Sequence, residues 1–70
     1  MNEKQNVYLI RSKDNISVSY LSEDSRWVDI IECPDYITKN NLMTFASKLE
    51  AINHCLLNNL TNYKIVLGRV

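Results

Sequence analysis

The chain has 70 residues, with eight Lys and Arg against eight Asp and Glu, and 46% of it is hydrophobic. That is globular composition, not the high-charge, low-hydrophobicity signature of disorder. The length allows one domain with a small core, and it argues against a multi-step enzyme with its own cofactor domain. The charge balance argues against a strongly basic nucleic-acid clamp and against a wholesale acidic mimic of DNA.

Residues 1–6 are polar and read as a frayed lead-in. Val7–Ser12 is rich in β-branched and aromatic residues and reads as a strand. Lys13, Asp14 and Asn15 make a turn, because Asp and Asn tolerate left-handed φ and bond their own backbone. Ile16–Leu21 alternates, with Ile16, Val18 and Tyr20 on one face and Ser17 and Ser19 on the other. This is the period of an antiparallel strand with one wet face, so the first two strands should form a hairpin. Ser22–Ser25 is the next turn. Arg26–Ile31 is a third strand, with Trp27, Asp29 and Ile31 on one face and Val28 and Ile30 on the other. Cys33, Pro34 and Asp35 end it, since proline donates no ladder hydrogen bond. Residues 34–41 read as a loop with Tyr36 and Ile37 as anchors.

The next segment supports two readings. Leu42, Phe45, Leu49, Ile52, Leu56 and Leu60 recur every three or four positions and span about 80° of a helical wheel, which suits one helix over residues 40–60. Against this, Ser47-Lys48-Leu49-Glu50 is a capping-box pattern that starts a helix near residue 47 and leaves Leu42–Phe45 extended. The cap favours the shorter helix. Both readings bury Leu49, Ile52, Leu56 and Leu60 and leave Ala51, His54 and Asn58 outside. Asn58 and Asn59 can take the left-handed C-cap conformation. Tyr63–Val70 is the last strand, and Gly68 within it implies a bulge or the close approach of another backbone. The expected fold is α+β: a single domain over residues 1–70, with a small antiparallel sheet of three to five strands and one packed helix, in the order βββ(β)αβ. Strand order is open.

Soft metal ligands are few. Cys33, His54 and Cys55 are the candidates, and adjacent helical residues point about 100° apart, so no zinc site is expected. The cysteines read as small apolar residues. No nucleophile, base and orienter are spaced for catalysis, so the reading is a non-enzyme without cofactor.

Charge is uneven along the chain. Glu23, Asp24, Asp29, Glu32 and Asp35 share the segment 23–35 with a single base, Arg26, giving a local net charge of −4. Scattered solvated charge is the bland explanation. The functional one is an acidic edge that docks on a basic surface. Tyr20, Phe45 and Tyr8 are expected in the core. Trp27 suits either the core or a contact, and with Tyr36 and Arg26 it belongs to the residue types enriched at binding hot spots. The candidate partner-binding residues are Glu23, Asp24, Arg26, Trp27, Asp29, Glu32 and Tyr36. An alternative nucleic-acid surface would use Arg11, Lys13, Lys64 and Arg69.

Tyr8-Leu9-Ile10, Trp27-Val28-Asp29, Phe45-Ala46-Ser47-Lys48-Leu49-Glu50-Ala51 and Lys64-Ile65-Val66 together resemble a loose group of small proteins of phages and prophages of Gram-positive bacteria. The match covers most of the chain. The stretch between Trp27 and Phe45 is longer here and holds Cys33-Pro34. The resemblance carries no catalytic residue. It implies a stoichiometric inhibitor of a host protein, of counter-defence or takeover type, with an anti-CRISPR protein the form to test first. The implied partner is a host protein, such as a nucleic-acid-handling or CRISPR effector protein. A small nucleic-acid-binding regulator is the alternative function, and a structural phage subunit is a third. With no leader visible before Val7 and no apolar run of membrane-spanning length, a cytoplasmic location and no membrane partner are expected. Exposed sheet edges are compatible with a homodimer.

Overall fold

The computed structural model describes residues 5–13, 18–31 and 33–70. Four strands, β1 (Asn6–Ser12), β2 (Ser19–Leu21), β3 (Trp27–Asp29) and β4 (Tyr63–Arg69), form one antiparallel sheet in the order β3-β2-β1-β4. Between β3 and β4 lie a single-turn helix α1 (Tyr36–Lys39) and the longer helix α2 (Lys48–Leu57). This is the expected α+β order, and strand order now follows from the ladders. Residues 34–41, read as a loop, contain α1, which buries Ile37. Gln5 and Asn6, expected in the frayed lead-in, are tied into the sheet, and residues 1–4 lie outside the described residues. Gln5 and Val70 exchange two backbone hydrogen bonds, and Asn6 is already in β1. The turn at Asp14 and Asn15, and the alternation of Ile16 and Ser17, lie outside the described residues.

Both faces of the sheet are covered, and this sets the packing. Leu9, Tyr20, Ile30, Ile37 and Leu42 form one buried cluster beneath α1 and the chain around it. Ile10, Leu21, Ala51 and Cys55 form the other beneath α2, walled by Tyr8, Phe45, Leu60, Tyr63 and Ile65. Neighbours Leu9 and Ile10 are therefore both buried, pointing in opposite directions as a strand requires. The wet face expected for β2 is absent: Ser19 is buried and its hydroxyl bonds the Asp29 carboxylate. Each apolar side chain fully buried this way contributes roughly 1.5–3 kcal/mol.

The capping signal is realised. Ser47 has extended dihedrals, and its Oγ accepts from the Glu50 N–H at 3.2 Å. The reciprocal arm is displaced by one residue, with Glu50 Oε2 accepting from the Ala46 N–H at 3.1 Å. Leu42 and Phe45 are extended before the helix, bridging Ser22 and Tyr8 respectively. Asn59, at φ 55°, supplies the left-handed residue after α2.

The face of α2 differs from the sequence expectation. Ala51 and Cys55 are fully buried, while Leu49 and Leu56 are 67% and 66% exposed. The reason is volume. Tyr8, Ile10, Tyr63 and Ile65 rise from the sheet into the space beneath the helix. Small side chains let α2 approach, and a leucine stripe would not fit beneath it. Gly68 marks a close approach, but of side chains: a Cβ there would lie 2.8 Å from Leu9 Cδ1 and 2.9 Å from Ile37 Cδ1. No bulge interrupts its pairing with Val7. Among the described residues, no helix is long and apolar enough to cross a membrane.

Candidate functional site

The β2–β3 hairpin holds most of the sequence-predicted binding residues. The Ser22 N–H donates to the Arg26 carbonyl at 2.8 Å, and Ser25 takes φ 61° to turn the chain. The Glu23 N–H donates to the Asn41 carbonyl at 2.9 Å, which ties the turn to the segment after α1. Nothing in the sequence marked this anchor except Asn41 itself, whose φ of 51° is a conformation asparagine tolerates.

Glu23, Asp24 and Arg26 are exposed on this turn. Arg26 lies 3.9 Å from Asp24, a surface pair worth about 0–1 kcal/mol. Trp27 is 42% exposed and belongs to neither buried cluster, so the core reading of this residue does not hold. Val28 and Ile30 face the α1-side cluster, as their alternation required. Trp27 and Asp29 share the opposite side, and Ile31 follows at 90% exposure. Ile31 was not singled out from the sequence, although the same alternation placed it with Trp27.

Strand β3 is an outer strand of the sheet. The bonds Ser22 N–H to Arg26 O and Ile30 N–H to Val18 O set the phase of its ladder, which directs the backbone groups of Trp27 and Asp29 outward. The site is thus an outer strand, paired only with β2 among the described residues, bearing an exposed tryptophan and acidic side chains.

Two predicted residues do not join it. Tyr36 starts α1 and its ring lies 5.6 Å from that of Tyr20, so it walls the buried cluster on the other face instead of standing free on a loop. Glu32 lies outside the described residues. Asp35, the last acid of the segment, accepts from the Cys33 thiol at 3.2 Å. That bond, its own backbone N–H and nearby Lys39 hold its carboxyl below the ordinary range.

The alternative basic set divides. Arg11 and Lys64 are direct partners across β1 and β4 on the α1-side face. Arg69 alternates to the α2-side face at the other end of β4. His54, expected outside, is half-buried against the Phe45 ring at 5.4 Å. Cys33 and Cys55 are free thiols. Among the described residues, no group of three His, Cys, Asp or Glu side chains is placed to hold a metal ion.

No protein-family model matches this chain, and neither a curated protein sequence nor a solved structure is similar to it.

Proposed function

We propose that this chain is a non-catalytic protein-binding module, a phage-encoded inhibitor acting stoichiometrically on a host protein in the cytoplasm. The observation that carries this reading is Trp27, a large aromatic left exposed on the outer strand β3, near the acidic side chains of Glu23, Asp24 and Asp29. A chain with so small a core leaves its single tryptophan in solvent only at a cost in stability, and aromatic anchors with a charged rim are the usual anatomy of a binding surface. Trp27 and Ile31 would supply contact area. Glu23, Asp24 and Asp29 would steer the encounter toward a basic surface, with Arg26 at the rim. Basic surfaces are common on nucleic-acid-handling proteins, and the resemblance to phage proteins makes a CRISPR effector the first target to test.

The test is phage plating on bacteria with an active CRISPR defence, with and without this protein expressed. Restored plating, lost with Trp27→Ala and with Glu23→Lys/Asp24→Lys, supports the reading. The tryptophan variant should weaken target binding by about 30-fold, the effect of losing a hot spot of about 2 kcal/mol. Unchanged plating for the wild-type chain sinks the anti-CRISPR form. A pull-down from nuclease-treated lysate then asks whether another host protein binds through Trp27.

A regulator that binds nucleic acid rests on the Arg11–Lys64 pair with exposed Lys13 near it. It requires retention of DNA or RNA in a shift assay, with affinity falling steeply as salt rises.

A further inference from the structure

The edge opposite the hairpin points to a second copy of this chain. Among the described residues, β4 pairs only with β1. The mutual bonds of Gln5 and Val70, and the bond from the Lys13 N–H to the Asn62 carbonyl, fix the phase of that ladder. Val66, Lys64 and Gly68 therefore bond inward, while Tyr63, Ile65, Leu67 and Arg69 direct their N–H and C=O groups outward. This edge is seven residues long and carries neither proline nor bulge, two of the devices that block edge pairing, and its charges, Lys64 and Arg69, stand near its two ends.

We propose that two copies pair antiparallel through β4 about a two-fold axis at Val66. In that register Ile65 of each copy lies opposite Leu67 of the other, and Tyr63 lies opposite Arg69, ring against guanidinium. Lys64 meets Gly68 and Val66 meets itself, so no like charges oppose. Moving the axis to Ile65 or Leu67 leaves two residues at one end of β4 without a β4 partner, and the second choice sets Ile65 against Arg69. The full-length register is thus the self-complementary one.

The α2-side face supplies apolar area at the same seam. Leu67 is 58% exposed there. Helix α2 turns His54 and Asn58 toward Leu21 and Ser25, on the β2 side. Its opposite flank, with exposed Leu49 and Leu56, therefore overhangs β4. Pairing would bring two such flanks together above one continuous eight-stranded sheet, twice the four strands of one copy. The two β3 edges would remain free at its ends, on the order of 34 Å apart at the ~4.8 Å strand spacing. The pairing is independent of the proposed target and would make that binding bivalent.

Sedimentation of the full chain across a concentration series tests this. The expected result is a shift from 8.2 kDa toward twice that mass. Leu67→Pro removes an outward N–H, fixes φ at that position without taking a donor from the β1 ladder, and should yield a folded monomer by circular dichroism. Should that variant unfold, Leu67→Lys replaces it. Val66→Cys in a Cys33→Ser background should form a disulfide-linked dimer on mild oxidation, because facing non-hydrogen-bonded positions lie about 4.5 Å apart. A monomer at all concentrations to about 1 mM overturns the proposal. So does a dimer that survives both Leu67 variants or is lost with Trp27→Ala. Crosslinking through Leu67→Cys but not Val66→Cys overturns the register.

Discussion

Cys55 shows how one side chain can be read correctly in character and wrongly in position. Its apolar role followed from composition, yet it was not placed in the core. It is fully buried beneath α2, and burial pushes its thiol above the ordinary value of 9.0, partly offset by a hydrogen bond from Tyr63. Tyr63 is itself raised, by desolvation first and then by the neighbouring thiolate. A group whose folded pKa is raised contributes stability that is complete below its unfolded pKa. That stability is lost as pH climbs from there through the folded pKa. The chain should therefore weaken progressively above pH 9, and Cys55→Ala should shrink that alkaline slope in denaturant titrations at pH 7 and pH 10. An unchanged slope would show that the thiol does not ionise on the path to unfolding. In native protein a thiol reagent should modify Cys33 and spare Cys55 until denaturant is added, since only Cys33 has access to solvent.

At the scale of elements, the helix carries both the clearest success and the clearest error. Its start was legible because a cap is a local device: Ser47 and Glu50 satisfy free backbone N–H groups within one turn. Ser47→Ala should cost about 1 kcal/mol in chemical denaturation. Its buried face was not legible, because four leucine-sized residues at helical spacing outweighed one Ala and one Cys in any count of hydrophobicity. The structure keeps Leu60 against the cluster and Ile52 half-buried, but it buries Ala51 and Cys55 and exposes Leu49 and Leu56. Ala51→Leu should overpack the interface with the sheet and cost about 1–3 kcal/mol. Leu49→Ala should stay within about 0.5 kcal/mol when measured on dilute chain. The opposite order would restore the leucine stripe as the buried face. Strand β3 behaved as its alternation required, because one side of it meets a buried cluster and the other meets solvent. Strand β2 did not, because Ser19 and Leu21 lie under cover that arrives from distant sequence.

The whole molecule is a thin sheet covered on both sides by few residues, with buried clusters of five and four side chains. Leu9→Ala should cost about 2–5 kcal/mol, a large share of the stability expected for a chain this short, and the loss should appear as a marked fall in melting temperature. Glu23→Lys/Asp24→Lys should leave that temperature nearly unchanged, because both side chains stand in solvent at the hairpin tip. The two kinds of variant therefore separate loss of fold from loss of partner. Strand existence, the hairpin turn at Ser22–Ser25, the helix cap, the asparagine stop and the acidic segment were determined by the sequence itself. Each depends on residues within a few positions of one another. Strand order, the covering of both sheet faces, the side of α2 that is buried, the place of Tyr36 in a core wall and the exposure of Trp27 were decided only by tertiary structure. Each depends on which bulky side chains reach a shared volume first, and that competition joins segments far apart in the chain.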